Sequence, residues 1–270
     1  MSTQSNSYTS ETQSAPGSTF SLGTVGSGGF TLDVATAGPA SPIATIVSFP
    51  GSAGLEMSLA KDELAARHRV IELNPPGWGG RGDVMTDMHQ SELGPILVEA
   101  VRESTTEPFY LIGTSMGGAN ALYVAAAMPE RVRGIVLEGS MVPCAPEDLR
   151  TPPGGGGDEQ EYPVPPTDPR KPWADEEYIR TQMANRMRTF GWLTPDFEAE
   201  SALTVIREHG LRVLALLGDD DEILQASQEN SIRRALPDVD FRLVPGGKHD
   251  LQNTAASEFA RRVDNFITSS

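Results

Sequence analysis

Cys144 is the only cysteine among 270 residues, so no disulfide can form within the chain. One cysteine and four dispersed histidines (His68, His89, His209, His249) make no zinc framework, and no metal is expected. Long apolar runs are missing as well, since nothing approaches the roughly 18 residues that a membrane span needs. Basic charge is scarce: 21 Lys and Arg face 37 Asp and Glu, for a formal net charge of −16. Such a surface repels phosphate backbones and anionic lipids, which argues against nucleic-acid and membrane partners. Residues 1–27 carry only Glu11 as a charge and have neither a basic start nor the apolar stretch of a secretory leader. They read as a flexible tail, too poor in apolar groups to offset their ordering entropy, and cytoplasmic residence is the default expectation.

What is present beyond residue 27 is alternation. Short apolar runs exchange with helical patterns, the signature of a mostly parallel sheet with helices on both faces. Strands are expected at 30–34, 44–49, 69–73, 109–113, 133–137, 211–217 and 241–244. Helices are expected at 56–67, 85–104 (with Gly94-Pro95 bending or interrupting the pattern), 116–128, 224–235 and 254–267. Asn74 to Gly80 reads as a loop because its prolines and glycines forbid regular pairing.

Residues 141–172 break the rhythm with many prolines, the run Gly154-Gly155-Gly156-Gly157 and many acidic groups. An amphipathic helix follows over 174–190, with Ile179, Met183, Met187 and Phe190 as one apolar stripe. The division expected is therefore a core of 28–140 and 209–270 with a lid inserted at 141–208. The stripe is placed to pack on the domain, to touch substrate, or both. Arg180, Arg186 and Arg188 lie among acids and read as solvated salt pairs.

The chemical signal is Gly113-Thr114-Ser115-Met116-Gly117-Gly118, a match to G-x-S-x-G. The strand FYLIG runs into it and the helical ANALYVAAAM leaves it, so Ser115 sits on a sharp strand-to-helix turn. Taken alone, the motif is equally a Gly-rich turn with Ser115 as a helix cap, and the flanking elements favour the nucleophile. A serine hydroxyl needs a base, and the base needs a carboxylate to orient it. Carboxylates stand where LRVLALL ends, in Gly218-Asp219-Asp220-Asp221-Glu222-Ile223, and His249 stands in the Gly-rich loop after the last strand. All three positions fall at the carboxyl edge of the expected sheet, where ligands bind in open α/β folds. His68 and His209 read as solvent-facing caps near helix ends, and His89 is given no role.

With these motifs in order, the stretch from Pro50 to Ile267 resembles the α/β-hydrolase superfamily. The block IGTSMGGANALYVAAAMPERVRGIVLEGS is similar to the elbow region of lidded serine esterases and meta-cleavage-product (carbon–carbon bond) hydrolases. The pattern Gly-x-x-Asp-x-Ile at Gly218, Asp221 and Ile223 matches the family's acid turn and singles out Asp221 over Asp219 and Asp220. Pro-Gly-Trp-Gly at 76–79 matches the loop after the second parallel strand. The first oxyanion turn departs from the family's His-Gly-x-x, reading Phe49-Pro50-Gly51-Ser52-Ala53-Gly54. By position, the backbone N–H groups of Ser52 and Met116 would form the oxyanion hole. Glu138 occupies the strand end where some members carry their acid, but it lacks a matching turn.

The resemblance implies an α/β-hydrolase fold with an inserted lid, a Ser115–His249–Asp221 triad, and acyl transfer to water without metal or organic cofactor. It implies a small-molecule substrate, and the apolar stripe points to small or medium hydrophobic acyl or aromatic groups. The same framework hosts carbon–carbon bond hydrolases, lyases and cyclising enzymes, and also ligand receptors of low turnover. Substrate choice lives in lid and pocket shape, which the motifs do not specify.

Overall fold

The computed structural model describes residues 16–78, 87–150 and 175–269. Its strands are β1 (Ser21–Ser27), β2 (Phe30–Ala37), β3 (Thr45–Phe49), β4 (Arg69–Leu73), β5 (Met88–His89), β6 (Phe109–Thr114), β7 (Val132–Glu138), β8 (Leu193–Thr194), β9 (Val213–Gly218) and β10 (Asp240–Val244). Its α-helices are α1 (Leu59–Ala65), α2 (Gln90–Ser104), α3 (Gly117–Ala127), α4 (Glu176–Trp192), α5 (Glu200–Glu208), α6 (Gln228–Ala235), α7 (Leu251–Thr254) and α8 (Ala256–Thr268).

Eight strands form one sheet in the order β1-β2-β4-β3-β6-β7-β9-β10. The six from β4 to β10 run parallel, while β1 and β2 form an antiparallel edge. The short β5 and β8 pair separately. β3 and β9 are buried along their whole length, because helices cover both faces and no side of these strands meets water. Leu97 and Val101 of α2, Leu122 of α3 and Ile206 of α5 pack on one face. Leu64 of α1 with Phe259 and Val263 of α8 packs on the other. This is an α/β-hydrolase architecture, and it brings the carboxyl ends of β3, β6, β7 and β9 to one edge.

Three expectations are corrected. The tail expected over 1–27 is shorter: Ser21–Ser27 is a strand, held by β2 on one side and largely exposed. An edge strand of this kind needs backbone partners rather than a buried apolar face, so its polar composition misleads. Residues 1–15 lie outside the described residues. His68 does not face solvent but is fully buried, its Nε2 2.9 Å from Asp264 on α8. The third correction concerns the stripe on α4. Met187 is 48% exposed and Met183 half-buried, whereas Ile179, Asn185, Thr189 and Trp192 are buried. The buried face of the helix lies about a third of a turn from the centre of the apolar stripe, and Thr189 Oγ1 donates to the Gly77 carbonyl at 3.0 Å. Phe190's side chain, the Gly-rich run and the end of the 74–80 loop fall outside the described residues. Among the described residues no helix is long and apolar enough to cross a membrane.

Candidate active site

β6 ends at Thr114 and α3 begins at Gly117, leaving Ser115 and Met116 to make the turn. Ser115 sits at φ 52°, a left-handed conformation that is strained for any residue with a Cβ. The turn is overdetermined by its neighbours. Ser115 N–H donates to the Glu138 carbonyl at 2.9 Å, and its own carbonyl accepts from Gly118 at 3.1 Å and Met141 at 3.0 Å. A Cβ at position 117 would lie 2.3 Å from the Phe49 carbonyl oxygen, so only glycine lets the helix start against β3.

The structure brings the three expected side chains together. His249 Nε2 lies 3.0 Å from Ser115 Oγ, and His249 Nδ1 lies 2.9 Å from Asp221 Oδ2. The other oxygen of Asp221 accepts the backbone N–H groups of Ile223 at 2.7 Å and Leu224 at 2.8 Å. A carboxylate partner fixes the proton on Nδ1 and turns the Nε2 lone pair toward the serine hydroxyl. Burial alone would raise the Asp221 pKa. The His249 hydrogen bond and charge, with the two backbone N–H groups, outweigh burial and hold it below the ordinary carboxylate value. Burial likewise opposes a charged His249, but the Asp221 contact, with Glu138 and Glu222 adding to it, lifts its pKa above the ordinary imidazole value. Asp219 and Asp220 are exposed, and Asp219 accepts Gly246 N–H at 2.7 Å.

Gly51 packs on the nucleophile: a Cβ there would sit 3.2 Å from Ser115 Cβ. The next residue is Ser52. Among the described residues neither the Ser52 nor the Met116 backbone N–H meets an acceptor. Two side chains bond the adjacent carbonyls of Gly51 and Met116: Trp78, from the Pro-Gly-Trp-Gly loop, and Gln90, which sequence reasoning did not single out. Trp78, buried, donates Nε1–H to the Gly51 carbonyl at 2.7 Å. Gln90, also buried, donates to the Met116 carbonyl at 3.1 Å and accepts Asp196 N–H at 3.1 Å.

Glu138 is fully buried one strand away and does not bond the His249 ring. Its carboxyl accepts Thr114 Oγ1–H at 2.7 Å and Gln252 N–H at 3.0 Å. Burial, and then the charge of Asp250, push its pKa up to about 7. Cys144 is half-buried, and burial with the acids Asp148 and Glu147 pushes its thiol up to about 12, far from a reactive thiolate. Arg180 pairs with Glu176 in solvent. Among the described residues no cluster of three or more His, Cys, Asp or Glu is arranged to hold a metal.

Comparison with known proteins places these features in context. A model described as the alpha/beta hydrolase family matches residues 46–262. A curated 2-hydroxy-6-oxononadienedioate/2-hydroxy-6-oxononatrienedioate hydrolase from Cupriavidus pinatubonensis is 39% identical over 77 residues, 28% of this chain and 27% of the relative. Matches to other curated relatives of that description reach only about a third of their length, 33% in an Escherichia coli protein. Among solved structures, a serine hydrolase from the polyaromatic-hydrocarbon-degrading bacterium Cycloclasticus zankles superposes with a TM-score of 0.71 at 17% identity. That likeness covers 92% of this chain and 98% of the other. A putative aryl esterase from Burkholderia cenocepacia also gives 0.71, at 16% identity and the same coverages.

Proposed function

We propose, from the premise that the chain belongs to the alpha/beta hydrolase family, that it is a serine hydrolase acting through Ser115, His249 and Asp221. The observation that carries this reading is the unbroken line from Ser115 Oγ through His249 to Asp221, with contacts of 3.0 and 2.9 Å. In the proposed reaction Ser115 Oγ attacks the substrate carbonyl as His249 Nε2 takes its proton. The oxyanion is held by the Ser52 and Met116 N–H groups. Asp221 stabilises the imidazolium, which then protonates the leaving group. Water, deprotonated by the same histidine, releases the acyl group from Ser115. No step calls on a group beyond these residues and water.

The substrate class proposed is a small or medium hydrophobic acyl or aromatic compound, admitted beneath a lid drawn from 141–208. Half-buried Met183 and buried Ile179 supply apolar surface on the lid helix α4, while exposed Met187 does not. A second reading, hydrolysis of a carbon–carbon bond, is favoured by the curated relative whose name describes a 2-hydroxy-6-oxo dienedioate hydrolase. There the acyl-carbon bond broken leads to a conjugated carbon instead of an ester oxygen.

Turnover of p-nitrophenyl esters of graded acyl length, measured beside a 2-hydroxy-6-oxo-dienoate, separates the readings. Ester hydrolysis with kcat/KM rising up to about fourfold per methylene is expected. Exclusive turnover of the dienoate would install the second reading. A folded protein inert to both would refute hydrolysis.

A further inference from the structure

The turn that carries Asp221 is held from outside by the segment ending at Arg150, and Arg150 makes three of the bonds. Its backbone N–H donates to the Ile223 carbonyl at 2.8 Å. Its side-chain Nε donates to the carbonyls of Leu224, at 3.1 Å, and of Asp221. Two peptide planes of the turn are thereby fixed at both ends. The Ile223–Leu224 peptide gives its N–H to Asp221 Oδ1 at 2.8 Å and its carbonyl to the Arg150 N–H. The Leu224–Gln225 peptide gives its carbonyl to Arg150 Nε and its N–H to the Asp148 carbonyl at 2.7 Å.

The segment bearing Arg150 is itself anchored. Asp148 is 1% exposed, and its carboxylate accepts Ala145 N–H at 3.0 Å, Ser227 Oγ–H at 2.9 Å and Ser231 Oγ–H at 2.6 Å. Gln225 Nε2 adds donors to the carbonyls of Glu147 at 3.2 Å and Leu149 at 3.1 Å. The acid turn is therefore clamped to a rigid strap that leaves β7, a different strand from the one on which Asp221 rides.

We propose that Arg150 is a positioning residue for the triad, fixing the acid turn so that Asp221 meets His249 at bonding distance. The proposal rests on the catalytic reading given above. A guanidinium is always charged, and its N–H donors make strong bonds to carbonyl oxygens. When that hold is lost, the Asp221 carboxylate drifts with its turn, and a small drift weakens the Nδ1 contact and tips the imidazole away from Ser115. The charged groups that act on His249 are Asp221 and Glu222 on the clamped turn and Glu138 at the end of β7. Loosening the first of these lowers the proton affinity of His249. The acid limb of kcat/KM, where protonation of His249 abolishes the base, then moves to lower pH.

The test uses Arg150→Gln and Arg150→Lys in the full chain, with three readouts: the low-field proton resonance of His249 Nδ1–H, the pH profile of kcat/KM, and thermal melting. Arg150 is exposed, so folding should survive. In Arg150→Gln the resonance is expected to broaden or vanish, kcat/KM to fall about tenfold, and the acid limb to shift to lower pH. Arg150→Lys, which restores a charged donor, should recover part of each. An unchanged resonance and acid limb in Arg150→Gln would overturn the proposal, even if activity fell in step with a lower melting temperature. If wild type proves catalytically inert, the catalytic reading fails separately, and the resonance still reports whether Arg150 fixes Asp221 on His249. Should Arg150→Gln not fold, Arg150→Lys decides by the same shifts at smaller size.

Discussion

Gly139 lies directly against His249: a Cβ at position 139 would sit 3.1 Å from the His249 carbonyl oxygen and 3.2 Å from its Nδ1. Gly139 also holds φ 46°, so an alanine there meets backbone strain and a crowded imidazole together. The left-handed conformation costs roughly 1–2 kcal/mol for a residue with a Cβ. Gly139→Ala is expected to lower the melting temperature modestly and kcat strongly. Full activity in the variant would show that the ring has room to yield.

Several carboxylates stand near His249, Asp221, Glu138 and Glu222 among them, and only Asp221 bonds its ring. Asp221→Asn is expected to lower kcat by roughly 10⁴-fold, because an amide no longer stabilises the correct tautomer and imidazolium. Glu138→Gln should retain most activity, and Asp219→Asn nearly all. An active Asp221→Asn beside a dead Glu138→Gln would move the acid to β7.

Glu138 also makes stability depend on pH. Its pKa rises from 4.5 to about 7 on folding, so the folded state keeps a proton that the unfolded chain releases. The favourable contribution is complete below the unfolded value and disappears as pH rises through about 7. Across that window the loss is on the order of 3 kcal/mol. Denaturant unfolding at about pH 5 and about pH 8 should show this decline in wild type and a flatter one in Glu138→Gln. Equal slopes would mean that Glu138 is ionised throughout.

Lys61 and Glu72 form an ion pair at 2.6 Å with both side chains wholly out of solvent. Removing one partner strands a buried charge. Lys61→Met should therefore cost roughly 3–5 kcal/mol, and Lys61→Met with Glu72→Leu much less. A double-mutant cycle by chemical denaturation checks the difference, and a Lys61→Met protein as stable as wild type would contradict it.

The sequence discloses the parts of the site that have local signatures. Ser115 is legible because strand, G-x-S-x-G and helix follow one another, and His249 because it trails the last strand. Asp221 is separable from Asp219 and Asp220 only by a turn pattern, and the turn's own N–H donors supply the physical reason for it. Arg150 and Gln90 are not legible, because each acts on a backbone carbonyl distant in the chain and leaves no spacing to read. Trp78 stands in the Pro-Gly-Trp-Gly motif, but that motif does not disclose its bond to the Gly51 carbonyl. The same blindness affects α4. Its apolar residues repeat with a helical period, yet the face it buries includes the polar Asn185 and Thr189, and Thr189 bonds the distant Gly77 carbonyl. β1 escaped notice because pairing at an edge makes no demand on side-chain polarity.

The most direct test of the catalytic reading is covalent labelling of the full chain with a fluorophosphonate, followed by mass mapping of the modified peptide. An activated serine should take up one probe per chain at Ser115. Labelling should vanish in Ser115→Ala and slow by on the order of 10³-fold or more in His249→Ala. A folded wild-type protein that stays unlabelled, or that carries the probe on a different serine, would contradict the assignment of Ser115 as nucleophile.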